Sequence, residues 1–320
     1  MDTEQTTVKV KRTLSKTRII RWAGTLIATA LFLWLLLRQD WAVTWEKLAS
    51  TPLWLLPLVF ALYFLGMVIN AVRWNTLLRA QGIRIPLIQV LKILITGAFA
   101  SNFLPSTIGG DSVRVVSLLR YDAELTVSLA SVVLDRLLNV IAMMTVLPFS
   151  FAVFGPPGMI FQKLGESAGG MIAITGAANG WAGKWLAKLT RWMKRTREIL
   201  GAWLHRPGVL VFSFVLSWLS SFVVFVAVWI LARGLGMGVA LYQVMGVMAL
   251  TYVVSLLPIS INGYGVREVA VTTLYVHLGA TLEQASALAV VTRFVLLLEA
   301  LPGAIWLPKS IPSTKEEEAG

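Results

Sequence analysis

Two arginines, Arg114 and Arg267, each follow a proline–glycine break inside an otherwise apolar stretch. The first break reads Leu104-Pro105-Ser106-Thr107-Ile108-Gly109-Gly110-Asp111-Ser112-Val113-Arg114-Val115. The second reads Leu257-Pro258-Ile259-Ser260-Ile261-Asn262-Gly263-Tyr264-Gly265-Val266-Arg267-Glu268. A break of this kind opens a new helix, whose first N–H groups are unpaired and attract anions. Gly109, Gly110, Gly263 and Gly265 would let a ligand or a second backbone come close. Asp111 is a good N-cap for a helix over 112–119, and Asn262 supplies a polar group at the matching turn. Each arginine lies within reach of the glycines, so the chemistry suggested is the holding of a phosphate. The competing reading is architectural: Pro and Gly shape a tight turn while the arginines reach back to the interface.

A second set of ionisable residues lies inside apolar helices: Asp135, Arg136, Arg293 and Glu299, with Glu268 beside Arg267. Such groups cost roughly 2.5–3.5 kcal/mol each at a membrane helix centre, so they face a partner or a wet cavity. One reading is a polar path or a proton-coupling carboxylate. The other is an internal network in which Asp135 neutralises Arg293 or Arg136. Glu299 stands about one turn before Pro302-Gly303, where a kink would open room around it.

Enzyme chemistry has little support. His205 and His277 are isolated, cysteine is absent, and there is no HExxH, CxxC or GxxxxGK[ST] run. No catalytic residue, metal or cofactor is expected. Transport, if any, would be passive or coupled to an ion or proton gradient.

The elements that position these residues follow from composition. Of 320 residues, 57% are hydrophobic and 14% charged, against about a quarter charged in soluble domains. Several apolar runs approach the ~20 residues that cross a bilayer. The net charge of +12 is concentrated in short basic stretches beside those runs, the positive-inside pattern. It therefore points to lipid headgroups rather than nucleic acid.

In chain order, 1–18 is a basic cytoplasmic tail and 19–37 a retained first span. A second span over 53–72 returns to the cytoplasm at Arg73-Trp74. The third apolar run opens at Pro86 and breaks at Leu104-Pro105, favouring a re-entrant hairpin. A long span over 125–154 follows. The segment 159–183 is either a span or an outer loop, and 184–206 suits a basic helix on the inner leaflet. A span over 209–231, a second broken hairpin, a last span over 285–307 and a polar tail at 309–320 complete the chain.

Aligned without a gap, the two breaks share six of twelve positions, and the match resumes after a four-residue insertion at 125–136 against 282–293. This is an internal duplication, with repeats over about 86–155 and 240–308. With Arg79 and Arg84 assigned to the cytoplasm, the second copy enters from the opposite face, giving an inverted repeat. The expected fold is an all-α polytopic membrane bundle of about eight segments, a single membrane domain over 19–308. Two Pro/Gly-broken re-entrant hairpins form its inverted repeat. The expected location is the inner (plasma) membrane, with both termini cytoplasmic.

Asn102-Phe103-Leu104-Pro105, Gly109-Gly110-Asp111-Ser112-Val113-Arg114, Asp135-Arg136 and Asn262-Gly263-Tyr264-Gly265-Val266-Arg267-Glu268 carry a family resemblance. Together they resemble the lysylphosphatidylglycerol synthase transmembrane-region family, also called flippase-like, from about 20 to 308. The resemblance implies an eight-span bundle with paired re-entrant segments that moves lipids between leaflets. In two-domain members a separate soluble domain performs aminoacyl transfer. No counterpart of that domain is expected before Gly320, so the resemblance does not extend to synthase activity. The expectation is a translocator of an anionic or phosphate-bearing lipid. The alternative is an accessory subunit or lipid-binding scaffold serving a lipid-modifying or glycosyl-transfer enzyme.

Overall fold

The computed structural model describes residues 52, 54–103, 109–155, 201, 203, 205–256 and 264–310. The expected span at 19–37, the segment 159–183, most of 184–206, both tails and the break residues 104–108 and 257–263 lie outside them. Among the described residues every regular element is helical. In order they are α1 (Leu55–Arg79), α2 (Leu87–Phe103), α3 (Gly109–Leu119), α4 (Leu125–Phe154) and α5 (Pro207–Gly234). Then follow α6 (Leu241–Leu256), α7 (Val266–His277), α8 (Leu282–Ala300) and α9 (Gly303–Ser310).

Helices α1, α4, α5 and the α8–α9 run are long and apolar enough to cross a membrane. Their polarity is arranged inside out. On α5, Val211, Val215, Leu219 and Phe222 are exposed while Ser213, Ser217, Ser220 and Ser221 are buried. An outward apolar stripe at helical spacing would be a liability in water and is the natural lipid face of a bundle. Small buried residues let the helices approach closely, and Ser217, Ser220 and Ser221 donate to carbonyls one turn back.

The packing has a two-fold pattern in which α1–α4 match α5–α8. Helix α1 packs on α2 as α5 does on α6, and α4 packs on α6 as α8 does on α2. The pairs α2/α3, α3/α4 and α4/α5 are matched by α6/α7, α7/α8 and α8/α1. The duplication therefore takes in one helix more per copy than the sequence match suggests. Helices α1 and α5 lie on the pseudo-axis and run antiparallel. Leu55 at the start of α1 meets Gly234 at the end of α5, and Gly66 meets Ser220 and Val224 midway. Antiparallel equivalent helices make the two copies inverted, as expected.

Three boundaries differ from the sequence reading. The second span does not end at Val72, because its apolar face continues to Arg79 and buries Arg73 and Trp74. The last span is divided at Leu301-Pro302 into α8 and α9. There Gly303 closes against the Ile95 carbonyl, so the break packs tightly onto α2 instead of opening room. Trp203, expected on a surface helix, is buried and donates its indole N–H to the Leu77 carbonyl at 3.0 Å.

Candidate functional site

In each copy a short helix folds back along the arm before it. Gly97 of α2 and Gly110 of α3 mark the crossing in the first copy. A Cβ on Gly110 would lie 2.4 Å from the Gly97 carbonyl oxygen and 2.0 Å from Ser101 Oγ. This glycine, expected to admit a ligand, instead allows the two arms to touch. Helix α3 begins at Gly109, so Asp111 sits in its first turn rather than at the cap. A carboxylate there still complements the helix dipole.

Arg114 projects from α3 into the interior and donates to Asp135 Oδ2 at 2.8 Å. Its guanidinium lies over the Trp74 ring, 4.2 Å from the centroid, a cation–π contact strengthened by exclusion of water. The same Asp135 accepts from Arg73 Nε at 2.8 Å, and Arg73 also donates to Ser217 Oγ at 2.8 Å. One buried carboxylate thus holds two buried arginines on two different helices. Asp135 neutralises neither Arg136 nor Arg293. Arg136 turns outward, with its side chain 58% exposed, and pairs with Asp111 at 3.0 Å.

The second copy uses other positions. Gly265 takes a φ of 76° ahead of α7, a conformation that favours glycine. Its N–H is held by Glu268 Oε2 at 2.8 Å. The other oxygen of Glu268 pairs closely with Arg293, whose guanidinium lies over the Tyr264 ring, 4.4 Å from the centroid. Arg267 Nη1 is 3.9 Å from Glu268, beyond hydrogen-bond reach, and this buried nitrogen has no hydrogen-bond partner. Glu299 is 5% exposed, and its Oε1 also has none.

The two hairpins meet. Tyr264, beside the second break, donates its hydroxyl to the Asn102 carbonyl at the end of α2, 3.0 Å away. On the outside of the first copy, Asp111, Ser112, Val115, Leu129, Val132 and Arg136 line an open groove of about 370 Å³ between α3 and α4. It is apolar along its length and charged at the Asp111–Arg136 end.

This arrangement can be set beside known proteins. The family model of the lysylphosphatidylglycerol synthase TM region matches residues 21–303. The chain belongs to that family. It is also similar to the UPF0104 membrane protein PH1989 of Pyrococcus horikoshii, 30% identical over 97 residues. That match spans 29% of each chain. Membership in the lysylphosphatidylglycerol synthase TM family, together with the lipid-facing helices, establishes a membrane location and associates the chain with lipid-related function.

For this family member, the structure joins Asp111, Arg114, Asp135 and Arg136 in one cluster and Gly265, Arg267, Glu268 and Arg293 in another. Gly110 lies at the crossing of the arms and Gly109 opens α3. Asn262 and Gly263 lie outside the described residues, and Glu299 joins neither ion-pair network. Sequence reading missed Arg73, Trp74 and Tyr264. Because it follows an apolar run, Arg73 reads as an interfacial charge. The signal against that reading is the further apolar turn, Leu77-Leu78, before Arg79.

Proposed function

We propose that the protein is a flippase-like translocator that moves a phosphate-bearing lipid between the leaflets of the plasma membrane. The observation that carries this is an excess of interior positive charge on both sides of the meeting hairpins. Among the described residues, buried Arg73 and Arg114 share Asp135, and Arg267 and Arg293 share Glu268. Each cluster holds one more cation than anions. Uncompensated charge in a membrane interior is costly, and a lipid phosphate supplies the missing negative charge.

The hairpins act as re-entrant elements, since α3 and α7, of 11 and 12 residues, reach only ~16–18 Å. Helix starts favour an anion; at α7 the N–H of Gly265 is already held by Glu268, so the start of α3 is the more open of the two. The α3–α4 groove gives acyl chains an apolar lane that leads to Arg136 and Asp111. Of the two motif arginines, Arg267 is the phosphate ligand, because Arg114 donates to Asp135 at 2.8 Å and lies over Trp74, whereas the Arg267–Glu268 pair is 3.9 Å long. The side bearing Arg79 and Arg84 is cytoplasmic on this reading, as are both termini. No covalent step is involved.

The test is mass spectrometry of lipid retained on protein purified in mild detergent, wild type against Arg267→Gln. Enrichment of a phosphate-bearing lipid on wild type and its loss from a normally folded Arg267→Gln is the expected result. Identical lipid on both proteins would remove Arg267 from the site and the reading with it.

A further inference from the structure

Arg136 lies about 16 Å along α4 from Leu125, yet its side chain is 58% exposed. A cation left open on a membrane-spanning helix is costly, and Asp111 offsets that cost only in part. Both contacts between them, from Arg136 Nε at 3.3 Å and Nη2 at 3.0 Å, fall on the single oxygen Oδ1. A two-oxygen fork would hold a guanidinium better. The same Oδ1 is 3.7 Å from Arg114 Nη1, beyond hydrogen-bond reach. Asp111 therefore stands between two arginines and is bonded to one of them. Arg73, Arg114 and Arg136 together meet two acids, Asp111 and Asp135.

The same arginine ends the groove between α3 and α4. Leu129, Val132 and Arg136 recur at helical spacing on α4, as Asp111 and Val115 do on α3, so each set lines one face. Val115 and Val132 are buried and Leu129 is exposed, which gives an apolar floor open at the side. Asp111 lies beside Arg136, whereas Val115 and Val132 lie nearer the turn that joins the two helices.

We infer that this groove is a second lipid site, separate from Arg267, for a phospholipid of net negative charge. Its phosphate sits on Arg136 and part of one acyl chain lies along Val132 and Leu129. This rests on the lipid reading of the protein. The phosphate displaces Asp111 from Arg136, and Asp111 closes the 3.7 Å gap to Arg114. Three cations then face three anions, so the exchange strands no buried charge. A zwitterionic headgroup would bring an ammonium among the arginines and restore the excess, so the site selects against it. The bound chain runs from Arg136 back toward the turn at the Arg79 side. That is opposite to a lipid resting in the leaflet on that side, and it is the orientation a lipid takes part-way through its crossing.

The experiment uses the full chain in nanodiscs with phosphatidylglycerol carrying a photoreactive diazirine on one acyl chain, and locates the cross-links by peptide mass spectrometry. Wild type should be labelled on α3 and α4 along the groove. Arg136→Gln should lose about tenfold of that label, the worth of one charge-assisted hydrogen bond. Asp111→Asn should gain label, because the competing carboxylate is gone. Diacylglycerol with the same chain and no phosphate should label the groove weakly. Equal groove labelling by the two probes, or Asp111→Asn labelled no more than wild type, overturns the site. Label confined to other helices, as when another segment of the chain covers the groove, overturns it too. Those results leave the lipid reading standing. No preference for the phosphate-bearing probe anywhere on the protein strikes that reading, and this inference falls with it. If either variant does not fold, the comparison of the two probes on wild type decides.

Discussion

The two halves carry the same arginines and use them in opposite ways. Arg114 and Arg267 occupy matching positions, as do Arg136 and Arg293, but the acids have moved. In the first half the interior acid, Asp135, stands on α4, where the second half has Thr292. In the second half it is Glu268 on α7, where the first half has Val115. The acid on α4 captures the arginine of the short helix and leaves Arg136 facing outward. The acid on α7 captures Arg293 from the long helix and leaves Arg267 loosely held. One half is therefore locked through its short helix and the other is free there. A duplicated motif can keep its arginines and still divide framework from ligand binding, because the partner of each is set by a residue on a different helix.

Several changes would break or sharpen this contrast. The largest effect is expected from Asp135→Ala, which strands Arg73 and Arg114. Losing one partner of a buried ion pair costs about 3–5 kcal/mol, so detergent unfolding should show a loss of that order. A loss below about 1 kcal/mol would contradict the locked half. Next is Gly110→Ala, whose methyl group meets the Gly97 carbonyl. Overpacking of this kind costs about 1–3 kcal/mol and should appear as earlier unfolding, with cleavage by added protease near the first hairpin. Tyr264→Phe keeps the ring under Arg293 but removes the hydrogen bond to Asn102. A loss of about 1 kcal/mol in the same assay would measure how firmly the halves are joined. The smallest stability change is expected from Arg267→Gln, about 1 kcal/mol or less, because only a 3.9 Å pair with Glu268 is lost, despite its matching position to Arg114. If it unfolds the protein as Asp135→Ala does, the halves are alike and Arg267 is framework too.

Much of the fold was legible in one dimension. The span over 125–154 and the short helix from Val266 to His277 were readable because Pro, Gly and charge punctuate apolar runs. The duplication was readable because Pro, Gly and Arg matches are unexpected within membrane segments. The site was legible only as a set of residues. Asp111 and Arg114 were found through the break beside them, and Asp135 through its charge in an apolar run. Tyr264 gave no such signal, since a tyrosine at the edge of an apolar helix is ordinary.

By itself, the sequence determined that this chain builds a membrane bundle from helices, with two matched breaks and charges that cannot face lipid. Those outcomes depend on local composition and on the backbone's need to satisfy its own hydrogen bonds. Tertiary structure alone decided which acid holds which arginine, that Arg73 is interior, and that Gly110 serves contact between the arms. It also left Arg267 and Glu299 unsatisfied. Periodicity defines a helix but not its rotation against a neighbour 62 residues away, as Arg73 is from Asp135. Ion pairing over a few ångströms depends on that rotation.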